Sequence, residues 1–164
     1  TMSVQISYLY GEKSAEAQVI RSVRNGAEAV VWVRGGVRSH TLRAGGVVYA
    51  WEDGGALRTG RADAFRADAA AGMPEYETAW SISGARVTQA GYCRYEGFSC
   101  IFFSVEDRVA GLECDYYVDI DTGLLVRAEN RLAGETVYVM QALSIEQATP
   151  GDQAFTLPDG RVAG

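Results

Sequence analysis

The sequence predicts a mainly β fold of the α+β class, a large antiparallel meander that a short helical insert interrupts. Apolar and polar residues alternate along most of the chain, as they do in strands with one buried face. Glycine-rich turn signals recur about every 8 to 12 residues, a spacing typical of antiparallel hairpins. An alanine-rich stretch breaks the alternation near the middle. The 164 residues suit a single domain, residues 1–164, because chains usually divide only beyond about 250 residues.

Strands are predicted throughout the first third of the chain. The first carries Val4, Ile6 and Tyr8 at alternate positions, and the second ends at Asn25-Gly26, a pair typical of two-residue hairpin turns. Glycine pairs close the strands that follow. The predicted strands cover residues 3–10, 17–24, 27–34, 37–43 and 47–52.

The helical insert is predicted over residues 62–71 and 75–82. The first segment is rich in alanine, has Phe65 as its bulky apolar anchor, and ends at Gly72 and Pro74. The second has Trp80 on its apolar face. Strands resume near Ala85, and the later ones cover residues 98–106, 112–120, 124–131 and 136–147, with turns at Asp121-Thr122-Gly123 and Ala133-Gly134.

Charge and hydropathy exclude several classes of protein. The formal net charge is −6 and the pI about 4.8, so the chain lacks the basic footprint that a nucleic-acid binder needs. Anionic membrane surfaces are disfavoured for the same reason. No apolar run approaches the roughly 18 residues of a membrane helix. The first residues lack the features of a signal peptide, so the protein is either cytosolic or has had an export signal removed.

Three cysteines, Cys93, Cys100 and Cys114, follow a C-x6-C-x13-C spacing. Zinc sites use closely spaced cysteine pairs and further ligands, and His40 is the only histidine, so no metal site is predicted. The odd count leaves at least one free thiol. The sequence allows a Cys100–Cys114 disulfide in an oxidising compartment, or three small buried apolar side chains.

Short motifs that resemble catalytic or metal sites are explained by local structure. Asp121-Thr122-Gly123 matches the motif of aspartic proteases, but it occurs once and suits a tight hairpin turn. The motif does not fit a calcium-binding loop either, because its glycine, Gly123, is at the wrong position of such a loop. We predict that His40 is solvated and that Glu113 and Asp115 are solvent-face charges. The sequence therefore predicts neither an enzyme nor a cofactor.

Aromatic residues are concentrated on the predicted strands, and their alternation indicates which side chains point inward. An open sheet must cover its apolar face, either with a ligand or with the protein's own side chains. The predicted inward positions are Val31 with Val33, Tyr49 with Trp51, Ile101 with Phe103, and Tyr116 with Val118. The predicted apolar ligand-binding face omits Ile101 and adds the two aromatic residues of the helical insert. It consists of Val31, Val33, Tyr49, Trp51, Phe65, Trp80, Phe103, Tyr116 and Val118.

Three segments of the C-terminal half carry a family resemblance. Tyr95–Cys100 reads Y-E-G-F-S-C, residues 116–127 read Y-Y-V-D-I-D-T-G-L-L-V-R, and Phe155–Gly160 reads F-T-L-P-D-G. Together with the Gly45–Trp51 strand and Asp53-Gly54, they resemble the lipoprotein-carrier (LolA/LolB-like) superfamily, in particular its uncharacterised bacterial lipoprotein branch. Without the family resemblance, Thr122-Gly123 is predicted to form a hairpin turn, and Pro158-Asp159-Gly160 is predicted to end the last strand.

The resemblance implies an unclosed antiparallel half-barrel with a helical insert on its concave side. It implies export, often with a lipid anchor upstream, and binding of acyl chains or lipoproteins, or envelope sensing in relatives that regulate sigma factors. The family's usual amino-terminal helix is not found before the first strand. No functional residue carries over from the family, because the matching motifs are structural.

We therefore predict a non-enzymatic, extracytoplasmic, membrane-anchored lipoprotein domain that binds an apolar ligand or a lipidated partner. The alternative is an envelope sensor or protein-interaction module whose core is filled by its own side chains. A large apolar cavity would favour the first prediction, and a filled core the alternative.

Overall fold

The computed structural model describes residues 1–61 and 85–163. The predicted helices, with Phe65 and Trp80, lie outside these residues. Within the described part, eleven strands form one unclosed antiparallel sheet in the order β6-β5-β4-β3-β2-β1-β11-β10-β9-β8-β7, which confirms the predicted mainly β meander. The strands are β1 Met2–Tyr10, β2 Lys13–Arg24, β3 Ala27–Arg34, β4 Val37–Ala44, β5 Val47–Glu52, β6 Arg58–Arg61, β7 Ala85–Tyr95, β8 Phe98–Asp107, β9 Leu112–Asp119, β10 Leu125–Leu132 and β11 Glu135–Ile145.

The hairpin turns follow from residues that tolerate positive φ. Asn25 and Gly26 have φ values of 49° and 78°, as a two-residue turn with the twist of its flanking strands requires. Glu96 and Gly97 adopt the same conformation between β7 and β8, although glutamate seldom does so. The sequence missed β6, because Arg58–Arg61 contains no bulky apolar residue to reveal the alternation.

The end of the chain differs from the prediction. The last long strand, β11, ends at Ile145, and a 3₁₀ helix follows at Asp152–Phe155. Pro158-Asp159-Gly160 does not end that strand. It forms a tight turn within a bridge between Thr156 and Val162, in which the Leu157 amide donates to the Arg161 carbonyl at 2.8 Å.

The described residues fall into two compact units. The first comprises residues 1–5, 16–61 and 143–163, and the second residues 6–15 and 85–142. The single-domain assignment stays a prediction. No helix in the described ranges is long and apolar enough to cross a bilayer.

A buried cluster of the first unit lies on one face of β3 and β4. Two small residues of β3, Ala27 and Ala29, leave space that larger side chains fill. Leu42 of β4 lies directly opposite Ala29 and is completely buried. The cluster consists of Ala27, Ala29, Leu42, Ala44, Phe155 and Leu157.

The core of the second unit lies on β8 to β11. Phe103 of β8 lies opposite Tyr116 of β9, and their rings stack at a centroid distance of 5.1 Å. Val126 of β10 and Met140 of β11 are completely buried. Burial along these strands does not follow a strict alternation, since three consecutive residues of β9, Cys114 to Tyr116, are buried.

Candidate functional site

The first unit brings four of the predicted ligand-face residues onto one face. Val31 of β3 lies opposite His40 of β4, which lies opposite Trp51 of β5. Val33 is two residues from Val31, and Tyr49 two residues from Trp51, so both share that face. All four predicted side chains are half-buried. Tyr49 and Trp51 pack against the Phe155–Leu157 cluster.

The C-terminal segment fills part of this face. The Phe155 side chain is 0% exposed, and Leu157 is also buried, against β3 and β4. Neither residue was predicted at the site, although both belong to the F-T-L-P-D-G motif and alternate with less buried neighbours. The two residues supply from within the chain the kind of apolar contact that a ligand would supply.

Arg24 holds the C-terminal segment in place. Its guanidinium carbon lies 4.5 Å from the centroid of the Phe155 ring, a cation–π arrangement. The same guanidinium donates to the Pro150 carbonyl at 3.1 Å and to Asp152 Oδ1 at 2.8 Å. The contacts with both the ring and the backbone before it fix the segment that carries Phe155.

His40 is not solvated, contrary to the prediction. Its ring stacks on Trp51 with centroids 4.8 Å apart and an interplanar angle of 4°. His40 Nε2 lies 2.7 Å from Asp53 Oδ1. A cavity of about 250 Å³ adjoins the pair, and its lining includes Thr41 and Glu52. The alternation could not reveal these contacts, since they join β4 to β5 and the loop after it.

The second unit contains the remaining predicted residues that the structure describes. Phe103, Tyr116 and Val118 are buried on one face of β8 and β9, whereas Ile101, opposite Val118, is 42% exposed. Burial raises the pKa of the Tyr116 hydroxyl well above its ordinary value, and the neighbouring Cys114 acts in the same direction. These three residues therefore lie in a packed core.

Tyr138 has a buried hydroxyl with no hydrogen-bond partner in the described part of the protein. Its ring packs edge-on against Tyr8 at a centroid distance of 5.4 Å. Burial raises the pKa of this hydroxyl, and Tyr8 and Tyr116 add to the effect. With no partner among the described residues, the buried hydroxyl costs folding free energy, because it loses its hydrogen bond to water.

Asp115 is buried, so the prediction of a solvent-face charge is wrong for this residue. Only 9% of it is exposed. Its carboxylate accepts hydrogen bonds from Ser104 Oγ at 2.5 Å and from Arg131 Nη1 at 2.7 Å. Hydrogen bonding to Asp115 is the main cause that raises the pKa of Arg131. Glu113, by contrast, is exposed as predicted.

The charge network continues along β10. Burial acts to raise the pKa of Glu129, but hydrogen bonds from Arg127 at 2.6 Å and Thr136 at 2.9 Å outweigh it and lower that pKa. Each acid in this network is matched by a donor. A cavity of about 370 Å³ beside it is lined mainly by polar side chains, among them Arg86, Gln89 and Arg131.

The Asp121-Thr122-Gly123 motif forms a turn. The neighbouring Asp119, which is buried, accepts hydrogen bonds from the Thr122 amide at 3.1 Å and the Thr122 hydroxyl at 2.6 Å. The Gly123 amide donates to the Asp119 carbonyl at 2.8 Å, with φ of 69° at the glycine. The interpretation as a turn-forming motif is confirmed. Among the described residues, no group of acidic, histidine and cysteine side chains could hold a metal ion.

The strand register excludes a Cys100–Cys114 disulfide. Cys114 lies opposite Val105, which is five residues along β8 from Cys100. That separation is about 17 Å along the strand, and an odd spacing places the two thiols on opposite faces of the sheet. A disulfide needs Cα atoms within about 6.8 Å.

The fold defines the class of protein first: an unclosed antiparallel meander domain. No protein-family model matches the chain, and no curated protein matches it either. Solved structures do match over 99% of it. They are MucB alone (TM-score 0.60, 16% identity), the Pseudomonas aeruginosa MucA/MucB complex (0.60, 17%) and MucB in complex with MucA(peri) (0.56, 19%).

Because the sequence identities are only 16% to 19%, the structural match establishes the fold and nothing further. The chain spans 57% to 59% of the matched MucB chains. The predicted fold class is confirmed, whereas membership of the LolA/LolB-like superfamily and of its lipoprotein branch stays a prediction.

Proposed function

We propose that this chain is a non-enzymatic, extracytoplasmic protein-interaction domain that binds a segment of a partner protein and serves in envelope sensing. The observation that carries the proposal is the burial of Phe155 and Leu157 against β3 and β4. Part of the face that the sequence assigns to an apolar ligand is thereby occupied by the chain itself. Two of the matched structures, in which MucB is in complex with MucA, support a protein as the partner.

The contacts of Phe155 disfavour an acyl chain on this part of the face. An acyl chain gains about 0.8 kcal/mol for each methylene group that it buries against a free apolar surface. On β3 and β4 the corresponding surface is already buried by Phe155, which Arg24 anchors. A lipid would have to displace these contacts before gaining its own. Tyr49 and Trp51 then serve as packing residues around the cluster, and Val31 and Val33 lie on the same face.

Site-specific photo-crosslinking in cells of the source organism tests the proposal. A benzophenone amino acid replaces Tyr92, which is 85% exposed on β7, in one variant, and Trp51 in the other. Equivalent variants at the exposed Tyr10 and Val109 sample other surfaces. We expect adducts with a discrete protein from at least one exposed position and no lipid adduct from Trp51. The purified extracytoplasmic segment of the captured protein should then bind the wild-type chain saturably in solution.

Two outcomes would overturn the proposal. One is a lipid adduct at Trp51 together with stoichiometric acyl chains in an organic extract of the purified protein, measured by mass spectrometry beside a matched control protein. That result would restore the lipid-carrier prediction and its site residues Phe103, Tyr116 and Val118. The other is the absence of any protein adduct at all three exposed positions.

A further inference from the structure

We propose that Cys93 and Cys100 are an oxidisable pair that forms a disulfide between the edge strand β7 and its neighbour β8. The two residues are direct cross-strand partners in the register of this hairpin. The thiols are free in this structure. The pairing does not depend on the proposed partner binding.

The backbone geometry already suits the bond. Directly opposite residues of an antiparallel pair have Cα atoms about 4.5 to 5.5 Å apart, inside the range of about 4.4 to 6.8 Å found in disulfides. The register is continuous from this pair to the turn at Glu96-Gly97, since the one irregularity of the β7–β8 pairing lies farther away, between Val87 and Gln89. The two side chains therefore leave the sheet on the same face.

The two thiols differ in their access to solvent. Cys93 is partly exposed, whereas Cys100 is completely buried. Burial raises the pKa of the Cys100 thiol, and the nearby Cys93 and Asp119 act in the same direction. An oxidant therefore reaches Cys93 first, and Cys100 acts as the resolving thiol.

The oxidation proceeds by two thiol–disulfide exchanges with a low-molecular-weight disulfide, RSSR. The Cys93 thiolate attacks one sulfur of RSSR, which breaks the R–S–S–R bond, forms Cys93–S–S–R and releases RS⁻. Cys100 then loses its proton to solvent, and its thiolate attacks Cys93 Sγ and displaces the second RS⁻. The two protein thiols lose two electrons, and RSSR is reduced to two RSH once the released thiolates are protonated.

The bond would constrain the edge of the sheet. β7 is an edge strand, and its residues from Arg86 to Gly91 are exposed. Such edges open readily, because one side of the strand lacks a hydrogen-bonded neighbour. A disulfide near the turn ties β7 to β8 independently of the ladder hydrogen bonds. Oxidation is therefore expected to slow amide exchange along β7.

The test is oxidation of the native wild-type protein with oxidised glutathione, followed by alkylation of free thiols, digestion with trypsin and mass spectrometry without reduction. Arg94 lies between the two cysteines, so trypsin separates them into different peptides. We expect residues 87–94 linked to residues 95–108, and a fall in free thiols from three to one. The Cys114→Ser variant should give the same linked peptides, and Cys93→Ser should give none.

A second measurement follows hydrogen exchange of the oxidised and reduced protein. Amides of β7 should exchange several-fold more slowly after oxidation, and this protection should disappear on addition of dithiothreitol. Three results would overturn the proposal: three alkylated cysteines after exhaustive oxidation, linkage of either peptide to the one that contains Cys114, or glutathione held on Cys93 with no intramolecular bond.

Discussion

Replacing Phe155 by alanine should destabilise the first unit more than any change on its surface. The side chain is 0% exposed and packs against Ala27, Ala29 and Leu42. Removing a completely buried phenylalanine costs about 3 to 5 kcal/mol in transfer and cavity terms. Loss of the cation–π contact with Arg24 adds about 0.5 to 1 kcal/mol. We therefore expect a loss of about 4 kcal/mol, or a fall in Tm of about 8 to 16 °C at this chain length.

The assay is urea unfolding of Phe155→Ala, followed by circular dichroism and by the fluorescence of Trp51, which packs against the cluster. Phe155→Leu is the matched control and should lose less than about 1.5 kcal/mol, since it conserves most of the volume. Tyr92→Ala, at an exposed position, should change stability by less than about 0.5 kcal/mol. A loss below about 1 kcal/mol for Phe155→Ala would refute the argument that this ring fills the face of β3 and β4.

Three further predictions concern the second unit, each measured by urea unfolding. Arg131→Met should lower the free energy of unfolding by about 2 kcal/mol, because it leaves the buried Asp115 carboxylate without its charged donor. Arg108→Met, at an exposed ion pair, should lower it by less than about 0.5 kcal/mol. Equal losses in the two variants would contradict the buried pairing. The lowered pKa of Glu129 means that its stabilisation is present at pH 7, above its ordinary pKa of 4.5, and is lost as the pH falls through the lower pKa of the folded state. The deficit of Glu129→Gln relative to wild type should thus shrink below pH 4.5, and a deficit that grows in acid would reverse the assigned sign. Tyr138→Phe should be neutral or stabilise by about 1 kcal/mol, because it removes the orphaned hydroxyl; a loss above about 1 kcal/mol would mean that the hydroxyl has a partner.

The strands and turns of the described residues were largely predictable because their signals are local. Alternation of apolar residues depends on the two-residue period of a strand, and it located β1, β3 to β5 and β8 to β10 to within about two residues. β2 begins at Lys13, four residues before its predicted start. The hairpin at Asn25-Gly26 follows from residues that tolerate positive φ. β6 was not predicted, because it lacks bulky apolar residues. The end of β11 was misplaced, since polar residues after Ile145 do not mark where hydrogen bonding stops.

The candidate site was predictable in part. Alternation correctly grouped Val31 with Val33 and Tyr49 with Trp51 on shared faces, because a strand with no bulge keeps its faces distinct. Alternation could not show that Phe155 and Leu157, more than a hundred positions away, complete the buried cluster beside Tyr49 and Trp51. Phe155 packs with Ala27 and Leu42, a contact between distant parts of the chain that no local pattern indicates.

The sequence by itself determined the class of fold, the strand order within each hairpin and the acidic net charge, because these depend on composition and on neighbouring residues. Tertiary structure alone decided which cysteines lie opposite each other, which acid is buried and what fills part of the apolar face. Cys93 rather than Cys114 lies opposite Cys100, and Asp115 lies beneath Arg131, because the register of paired strands fixes both contacts. Register is set by hydrogen bonds between strands and by packing across them, and neither is written in the local pattern of one strand.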